Sequence, residues 1–593
     1  MMDFNPYRKF GLPLFLILNT ALFAVVFGSR LADPDGFLFA NAYDALKNYY
    51  NYIFYTEVQS QGGYLDYFGM NFPYQDYVFY TDSTPTISWL SKMLGLKEGA
   101  LDFYNLIFLA NFLISPVVAY KIGEILKFHY VINICSALFV VWLNPMVLNL
   151  AAWTNLSLSL FFLLSIYAFI VFVKSEFKSI KTVFTLMGIF LLVILASLTH
   201  LYYLPMLLFL LGPAFVILFF LDYKSKSIAG LTSLLLAFVF VYLFLRLSDG
   251  VYNLRPEDTL GFNSHEWTCT LGDYFKSYNF LSFPAFKEQS NWNLERLTFL
   301  GSAFPFFLLF LCGILVFVKR QKLILEDDVK IKSIVLSLLA GCLVCYFTSV
   351  GTQLNLFIGK INIYNFLNPL NIASEFSDTA KNFRCMSRFS LPFFTGIILL
   401  SFYVLDRGTK VLARKKLQWL LAGLIMVICY FDIYQMAKFA SNDFKSENYF
   451  SEKSLESIPL IDNTFDAILP IPYYHVGSEK LGYIIDDTNE WSRFTYQLAI
   501  KNKRPLMSSK MSRTPISYAQ NQLSFFQGNT DSEFLKLLKG KRILICESKT
   551  FKSPEMKDEP AKTIAANPKY FIEKWQPQFL KTVGDVNYYI LEF

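Results

Sequence analysis

The sequence predicts a polytopic α-helical membrane protein with about eleven transmembrane helices, followed by a C-terminal extracytoplasmic domain of α/β or α+β type. Three observations lead there. First, 54% of the 593 residues are hydrophobic, only 17% are charged, and the mean hydropathy is +0.38, where a soluble domain carries roughly 25% charged residues. Second, apolar runs of about 18 or more residues recur down the chain, each long enough to cross a hydrocarbon core of ~30 Å. Third, the basic residues between runs fall on alternate connections, as the positive-inside bias requires. That bias accounts for the net charge of +7 without invoking nucleic acid.

The first run, 10–28, follows Arg8 and Lys9 and resembles a signal sequence at its start. It is longer than a typical signal core, and Gly28-Ser-Arg-Leu-Ala is a poor cleavage site, so the reading is an uncleaved first span with its N-terminus inside. The further spans are 101–124, 131–150, 156–173, 182–199, 203–221, 228–246, 298–318, 332–350, 390–405 and 417–436. With that count, Lys121/Lys127, Lys174/Lys178/Lys181, Lys224/Lys226, Lys319/Arg320/Lys322 and Arg407/Lys410/Arg414/Lys415/Lys416 all face the cytoplasm. One missed span would invert every later loop. The odd count places the C-terminal region outside, with outer loops at 29–100, 247–297 and 351–389. The expected organisation is thus a transmembrane domain over 1–436 and a soluble domain over 437–593. In the latter, Asp466–Pro472, Arg542–Cys546 and Val586–Phe593 read as strands, and Asp531–Lys539 and Pro568–Lys574 as helices.

Eight cysteines show no paired metal-ligand spacing, and the single CxxC, Cys342-Leu-Val-Cys345, falls inside a span. Cys135, Cys312, Cys342, Cys345 and Cys429 lie within spans, where a thiol acts as a small apolar side chain. Cys269, Cys385 and Cys546 fall outside them, and spacing alone does not decide whether any two pair.

The loop 29–100 is too long and too aromatic for a plain connector. It predicts short interfacial helices near Tyr43–Tyr55 and Thr86–Leu96. Asp33-Pro-Asp35 and Asp44 offer carboxylates beside the membrane, able to take a proton from an acceptor hydroxyl or to hold a divalent cation against a phosphate. Helix boundaries use the same residues as terminators and caps. In a helix, Asp44, Lys47 and Asn48 share one side and present anion, cation and amide together, or else form an ordinary surface ion pair. Asp76 and Asp82 lie in a stretch that folds back over this group, with Asp82 expected to cap the helix beginning near Pro85. His200, at the outer end of the fifth span beside Tyr202 and Tyr203, is a candidate for phosphate binding or proton transfer, or a polar residue in a tight hairpin. Arg384 and Arg388 sit four apart on the outer side, against the charge bias, and share a face if helical. Guanidinium groups there suit a phosphate, or pair with loop acids and headgroups. Asn263-Ser-His-Glu-Trp-Thr-Cys269 lacks the second histidine of a metal motif.

Three local patterns resemble the GT-C superfamily of membrane glycosyltransferases and, within it, the YfhO-like bacterial proteins. They are Asp44-Ala-Leu-Lys-Asn-Tyr49 with Met70-Asn-Phe-Pro-Tyr74 and Tyr80-Thr-Asp82, the His200-Leu-Tyr turn, and Phe383-Arg-Cys-Met-Ser-Arg-Phe389. The family pattern has Asp-Gly where this chain has Asp44-Ala45, and proline where it has Leu201. The resemblance implies a GT-C-like fold in a bacterial inner membrane and transfer of a sugar from a polyprenyl-phosphate donor to an extracytoplasmic acceptor. The acceptor is a glycan, lipid or protein. By that resemblance Asp44, or the Asp33/Asp35 pair, is the base or metal ligand. Arg384, Arg388, His200 and Lys47 hold the donor phosphate, and Asn48, Asp82 and Tyr74 line the substrate. Some members use a divalent cation, Mg or Mn, for which Asp33 and Asp35 are the candidate ligands, and others use none. A non-catalytic scaffold of an envelope assembly is the alternative. A lipid or glycan transporter ranks third, because the span centres carry almost no ionisable residues.

Overall fold

The computed structural model describes residues 8–31, 33–34, 36–39, 43–150, 152–255, 262, 267–270, 273–274, 300, 329–355, 360–411, 415–443, 446–461, 464–478, 483–485, 489–528, 533–551 and 568–593. Among the described residues nine helices are long and apolar enough to cross a membrane: Phe10–Gly28, Ala100–Ile125, Tyr130–Asn149, Thr154–Lys174, Ile180–Thr199, Tyr203–Phe220, Lys224–Ser248, Val329–Ser349 and Met386–Gly408. Each overlies an expected span, and the chain is a multi-pass membrane protein. The helix Lys415–Asp443 covers the expected run 417–436. The expected span 298–318, apart from Leu300, and the basic cluster Lys319/Arg320/Lys322 lie outside the described residues, as does most of Asn263–Cys269.

Local chemistry sets where these helices stop. Ser179 caps Ile180–Thr199 by accepting from the Thr182 N–H, and the helix breaks at His200, whose backbone is extended. The next helix, Tyr203–Phe220, starts almost at once and carries Pro205 in its first turn, where a missing N–H costs nothing. The turn holding His200 and Tyr202 is therefore short and fixed. Further along, a Cβ on Gly341 would fall 1.9 Å from the Leu210 carbonyl oxygen. Only glycine lets Val329–Ser349 and Tyr203–Phe220 approach so closely.

The first loop folds as expected into Tyr43–Ile53, extended by a π-helical turn Phe54–Val58, and Pro85–Met93. Its tyrosines are structural. Tyr49, Tyr50, Tyr52, Tyr55 and Tyr67 are wholly buried. Each hydroxyl finds an acceptor: Tyr49 donates to Asn105 Oδ1 at 2.8 Å, Tyr50 to the Gly69 carbonyl at 2.7 Å and Tyr52 to the Ala100 carbonyl at 2.7 Å. Buried aromatic rings with satisfied hydroxyls supply area and geometry together.

After the helix bundle the chain forms a mixed four-stranded sheet in the order Gln578–Val583, Val586–Glu592, Arg542–Ser548, Ala467–Ile471. The first two interfaces are antiparallel and the last is parallel. Alternation along the strands buries both faces. Ala467, Leu469, Ile543 and Ile545 pack with Phe525, Phe534 and Phe571 of three flanking helices, whereas Ile468, Leu544, Cys546 and Ile590 join the hydrophobic core that continues into the bundle.

The first loop and the C-terminal region interlock. Phe37–Leu38 pairs antiparallel with Ser446–Glu447. Asn71 and Phe72 donate backbone hydrogen bonds to the Ser508 and Leu506 carbonyls, and Leu506 returns one to Gly69. Tyr50 stacks on Tyr496 with ring centroids 4.4 Å apart. Among the described residues Cys269, Cys385 and Cys546 form no disulfide with one another.

Candidate functional site

Within the helix Tyr43–Ile53, the side chains from Ala45 to Ile53 are all buried, and Asp44 in the first turn is not. Asp44 leaves 52% of its side chain open, while Lys47, one turn on, is 6% exposed. The ammonium of Lys47 lies 3.1 Å from Asp44 Oδ1 and 3.0 Å from Asp82 Oδ2. The i,i+3 spacing that placed Asp44 and Lys47 on one face thus extends to a third group brought in by the loop.

Asp82 does not cap the helix at Pro85; the N-cap position is Thr84, and it makes no side-chain cap. The Asp82 carboxylate is spent on Lys47 instead, and its backbone carbonyl accepts from Asn155 Nδ2 at 3.1 Å. Asp82 and Thr84 hold φ at +57° and +55°. Two non-glycine residues in the left-handed region within three positions is strain of about 1–3 kcal/mol each, of the sort that clusters at functional sites.

Three further elements converge. The 3-10 turn Thr154–Leu156 is preceded by Trp153, whose indole N–H donates to Asp44 Oδ2 at 3.2 Å. The turn between two spans presents His200 and Tyr202. The 3-10 turn Met386–Phe389 presents Arg388, whose guanidinium lies 4.7 Å from the Tyr202 ring centroid and 5.8 Å from that of Trp153. Tyr202 is itself fixed, its hydroxyl accepting from the Cys385 N–H at 2.8 Å.

Electrostatics follow from this packing. Burial pushes the Asp44 carboxyl up, but the charge and hydrogen bond of Lys47, then Arg388 and the Trp153 indole, outweigh it and hold it below the usual carboxylate range. A side chain half open yet desolvated enough to feel burial stands on the wall of a recess. For Lys47, burial works against the ammonium, but Asp44 and Asp82 prevail and raise its pKa. His200 is driven well below its ordinary value by burial first, then by Arg388 and Lys47, with Asp44 opposing. It is a neutral imidazole near pH 7. Its Nδ1 accepts from the Tyr202 N–H at 3.3 Å, which leaves Nε2 as the donor.

The other sequence candidates are placed as follows. Asn48 is wholly buried, and among the described residues neither amide atom has a hydrogen-bond partner. Tyr74 lies away from Asp44: it stacks on Tyr518 at 3.8 Å and accepts from Asn521 Nδ2 at 2.7 Å, inside the C-terminal region. Arg384 and Arg388 do not share a helical face, because residues 383–385 are irregular and Arg388 lies in a 3-10 turn. Arg384 instead covers the Trp267 ring at 4.5 Å. Asp33 turns over Gly36, where a Cβ would fall 2.0 Å from Asp33 Oδ2. Asp35 lies outside the described residues.

A divalent cation does not fit between Asp44 and Asp82. Lys47 Nζ stands 3.1 and 3.0 Å from their oxygens and supplies the positive charge there. Among the described residues no group of three His, Cys, Asp or Glu side chains gathers to hold a metal ion. Sequence reasoning missed Trp153, Asn155 and the contact of Arg388 with the Tyr202 ring.

The sequence matches a family model described as a domain of unknown function, DUF6311, over residues 16–434. No curated protein matches it. Solved structures similar to it include the archaeal oligosaccharyltransferase AglB from Archaeoglobus fulgidus in complex with an inhibitory peptide and a dolichol-phosphate. That likeness is 11% identical, covers 91% of this chain and 70% of that one, and has a TM-score of 0.45. ArnT from Cupriavidus metallidurans bound to undecaprenyl phosphate is also similar, at 11% identity over 98% of this chain and 97% of that one, with a TM-score of 0.47.

Proposed function

The chain belongs to the DUF6311 family, a domain of unknown function, and we propose that it is a membrane glycosyltransferase. It moves a sugar from a polyprenyl-phosphate donor to the hydroxyl of an extracytoplasmic glycan, lipid or protein. The setting is a bacterial inner membrane, with the N-terminus inside, and the soluble domain 437–593 outside beside the transmembrane domain 1–436. The narrower likeness to YfhO-like proteins stays one of short motifs.

One observation carries the reading: Asp44 is an ionised carboxylate with an open face, held by Lys47 and Trp153 and within electrostatic reach of Arg388. The acceptor oxygen attacks the anomeric carbon and its proton passes to Asp44. The bond from that carbon to the phosphate oxygen breaks, and its electron pair leaves with the polyprenyl phosphate. The product is inverted at the anomeric centre. A carboxylate with a depressed pKa is a weak base, so it takes the proton late, when the hydroxyl has become acidic through bond formation. Arg388 and the Nε2–H of neutral His200 stabilise the charge gathering on the departing phosphate. Lys47 keeps Asp44 and Asp82 compensated, and no step passes through a metal.

The test is transfer by the purified protein in lipid nanodiscs from a panel of radiolabelled polyprenyl-phosphate sugars. Asp44→Asn is isosteric and should lower transfer by about 10²-fold or more with melting temperature retained. Wild-type transfer by Asp44→Asn, or none by the wild type over the whole panel, overturns the proposal.

A further inference from the structure

The strongest feature outside the site is an apolar surface on the segment between the helices Val329–Ser349 and Ser390–Val411. Here a hairpin, Gln353–Asn355 with Lys360–Tyr364, leads into the short helix Pro369–Phe376. That helix is turned the wrong way for water. Leu370 and Asn371 face inward, whereas Ile372 and Phe376, one turn apart, face out at 49% and 84% exposure. Ile363, Tyr364, Phe366 and Leu367 are also exposed. Six large apolar or aromatic side chains in fourteen consecutive residues make a contiguous patch of the kind that marks an interaction surface.

The level of this patch is fixed. Asn365 Nδ2 donates to the Phe347 and Gly351 carbonyls at 2.7 and 2.8 Å, and Asn368 Nδ2 to Gly351 at 3.2 Å. Asn368 also caps the short helix by accepting from the Leu370 N–H. The patch is pinned to the last turn of a membrane-length helix, where a span leaves the hydrocarbon for the headgroups. Tyrosine and phenylalanine rings on an amphipathic segment favour that zone. Its occupant is therefore already adjacent.

We infer that residues 363–376 form a lip inserted into the boundary between lipid headgroups and acyl chains, with Phe366, Leu367, Ile372 and Phe376 in the bilayer. The chain runs from Phe376 through a 3-10 turn, Asp378–Asn382, to Arg384 and Arg388. The lip thus joins the lipid surface to the recess by thirteen residues of chain, Phe376 to Arg388. The inference stands on exposure and anchoring and holds whatever the recess catalyses.

The experiment uses the full chain in nanodiscs. Phe366→Cys and Phe376→Cys are each labelled with an environment-sensitive nitrobenzoxadiazole dye. Phe579→Cys, on an exposed strand of the C-terminal region, is the control, and signal from the unsubstituted protein is subtracted. Monodisperse elution and an unchanged melting temperature certify each variant. At 366 and 376 the emission should shift to the blue, and lipids spin-labelled near the top of the acyl chain should quench it at least twofold, with the control unmoved. Control-like emission without quenching overturns the inference. So does a blue shift that disappears when discs are restricted to one protein each, since a second copy would then be the occupant.

Discussion

At the scale of single residues, Trp153 joins groups that the proposed chemistry uses separately. Its N–H holds Asp44 Oδ2 at 3.2 Å, and Arg388 lies over its ring at 5.8 Å. The two contacts can be taken apart. Trp153→Phe keeps a ring beneath Arg388 and removes the donor. A hydrogen bond to a charged group is worth about 1.5 kcal/mol, close to tenfold; its loss leaves the carboxylate unanchored, and the misplaced base should lower transfer at neutral pH by about that factor while the KM for donor holds. The sign of the pH effect follows from the Asp44 pKa being held low. Its contribution to stability is present above the unfolded value of about 3.9 and is lost as pH falls through the lower folded value. Without the indole the folded pKa rises, so the acid limb of the pH–rate profile moves to higher pH. Trp153→Leu should add a rise in donor KM. An unmoved acid limb in Trp153→Phe would show that the residue only fills space. The sequence concealed this residue because Asp44 and Trp153 lie 109 positions apart, and a lone tryptophan near a span boundary reads as part of the interfacial belt.

Among elements, the helix Tyr43–Ile53 shows what a sequence discloses and what it withholds. Its place, its helicity and the Asp44–Lys47 face were legible from the aromatic density of the loop and the i,i+3 spacing. Its tyrosines divide: Tyr49 and Tyr52 bond to Asn105 and Ala100 of the helix Ala100–Ile125, and Tyr50 stacks on Tyr496 of the C-terminal region. Two-residue strands such as Phe37–Leu38 with Ser446–Glu447 carry no periodicity, so that docking left no trace in the sequence. The same limit hid the place of Tyr74, whose stacking partner Tyr518 lies in a distant helix. Tyr50 gives the test at this scale: it is wholly buried, stacked on Tyr496 and bonded to Gly69. Tyr50→Ala should cost about 3–5 kcal/mol, whereas Tyr50→Phe keeps the stack and should cost about 1 kcal/mol. Thermal unfolding orders the two variants, and limited proteolysis should cut Tyr50→Ala first within 446–593. Equal stability of both would mean that the stack does not join the two regions.

For the whole molecule, the spans were legible because a hydrocarbon slab imposes one length on every crossing. The packing of the C-terminal region onto them was not, because it turns on charges far apart in sequence. Arg255 is the clearest case. Its Nε donates to Asp249 Oδ2 at 2.7 Å and an Nη to Asp76 Oδ1 at 2.8 Å, and all three side chains are at most 2% exposed. The guanidinium also lies 4.0 Å from the centroid of Tyr80 and donates to the Arg513 carbonyl. Asp76 continues the chain of contacts through Asn71 to Gln522. One cation therefore ties together the first loop, the segment after Lys224–Ser248 and the C-terminal region. Arg255→Met strands two buried carboxylates and should cost about 3–5 kcal/mol, seen as a lower melting temperature and faster cleavage within 446–593. The neutral triple variant Arg255→Met/Asp76→Asn/Asp249→Asn removes the stranded charges with the pair. Replacing a buried ion cluster by uncharged groups of similar volume is often close to neutral, so the triple variant should recover most of the loss. If it melts no higher than Arg255→Met, the cluster works through shape and hydrogen bonds, and charge is not what fixes the C-terminal region against the bundle.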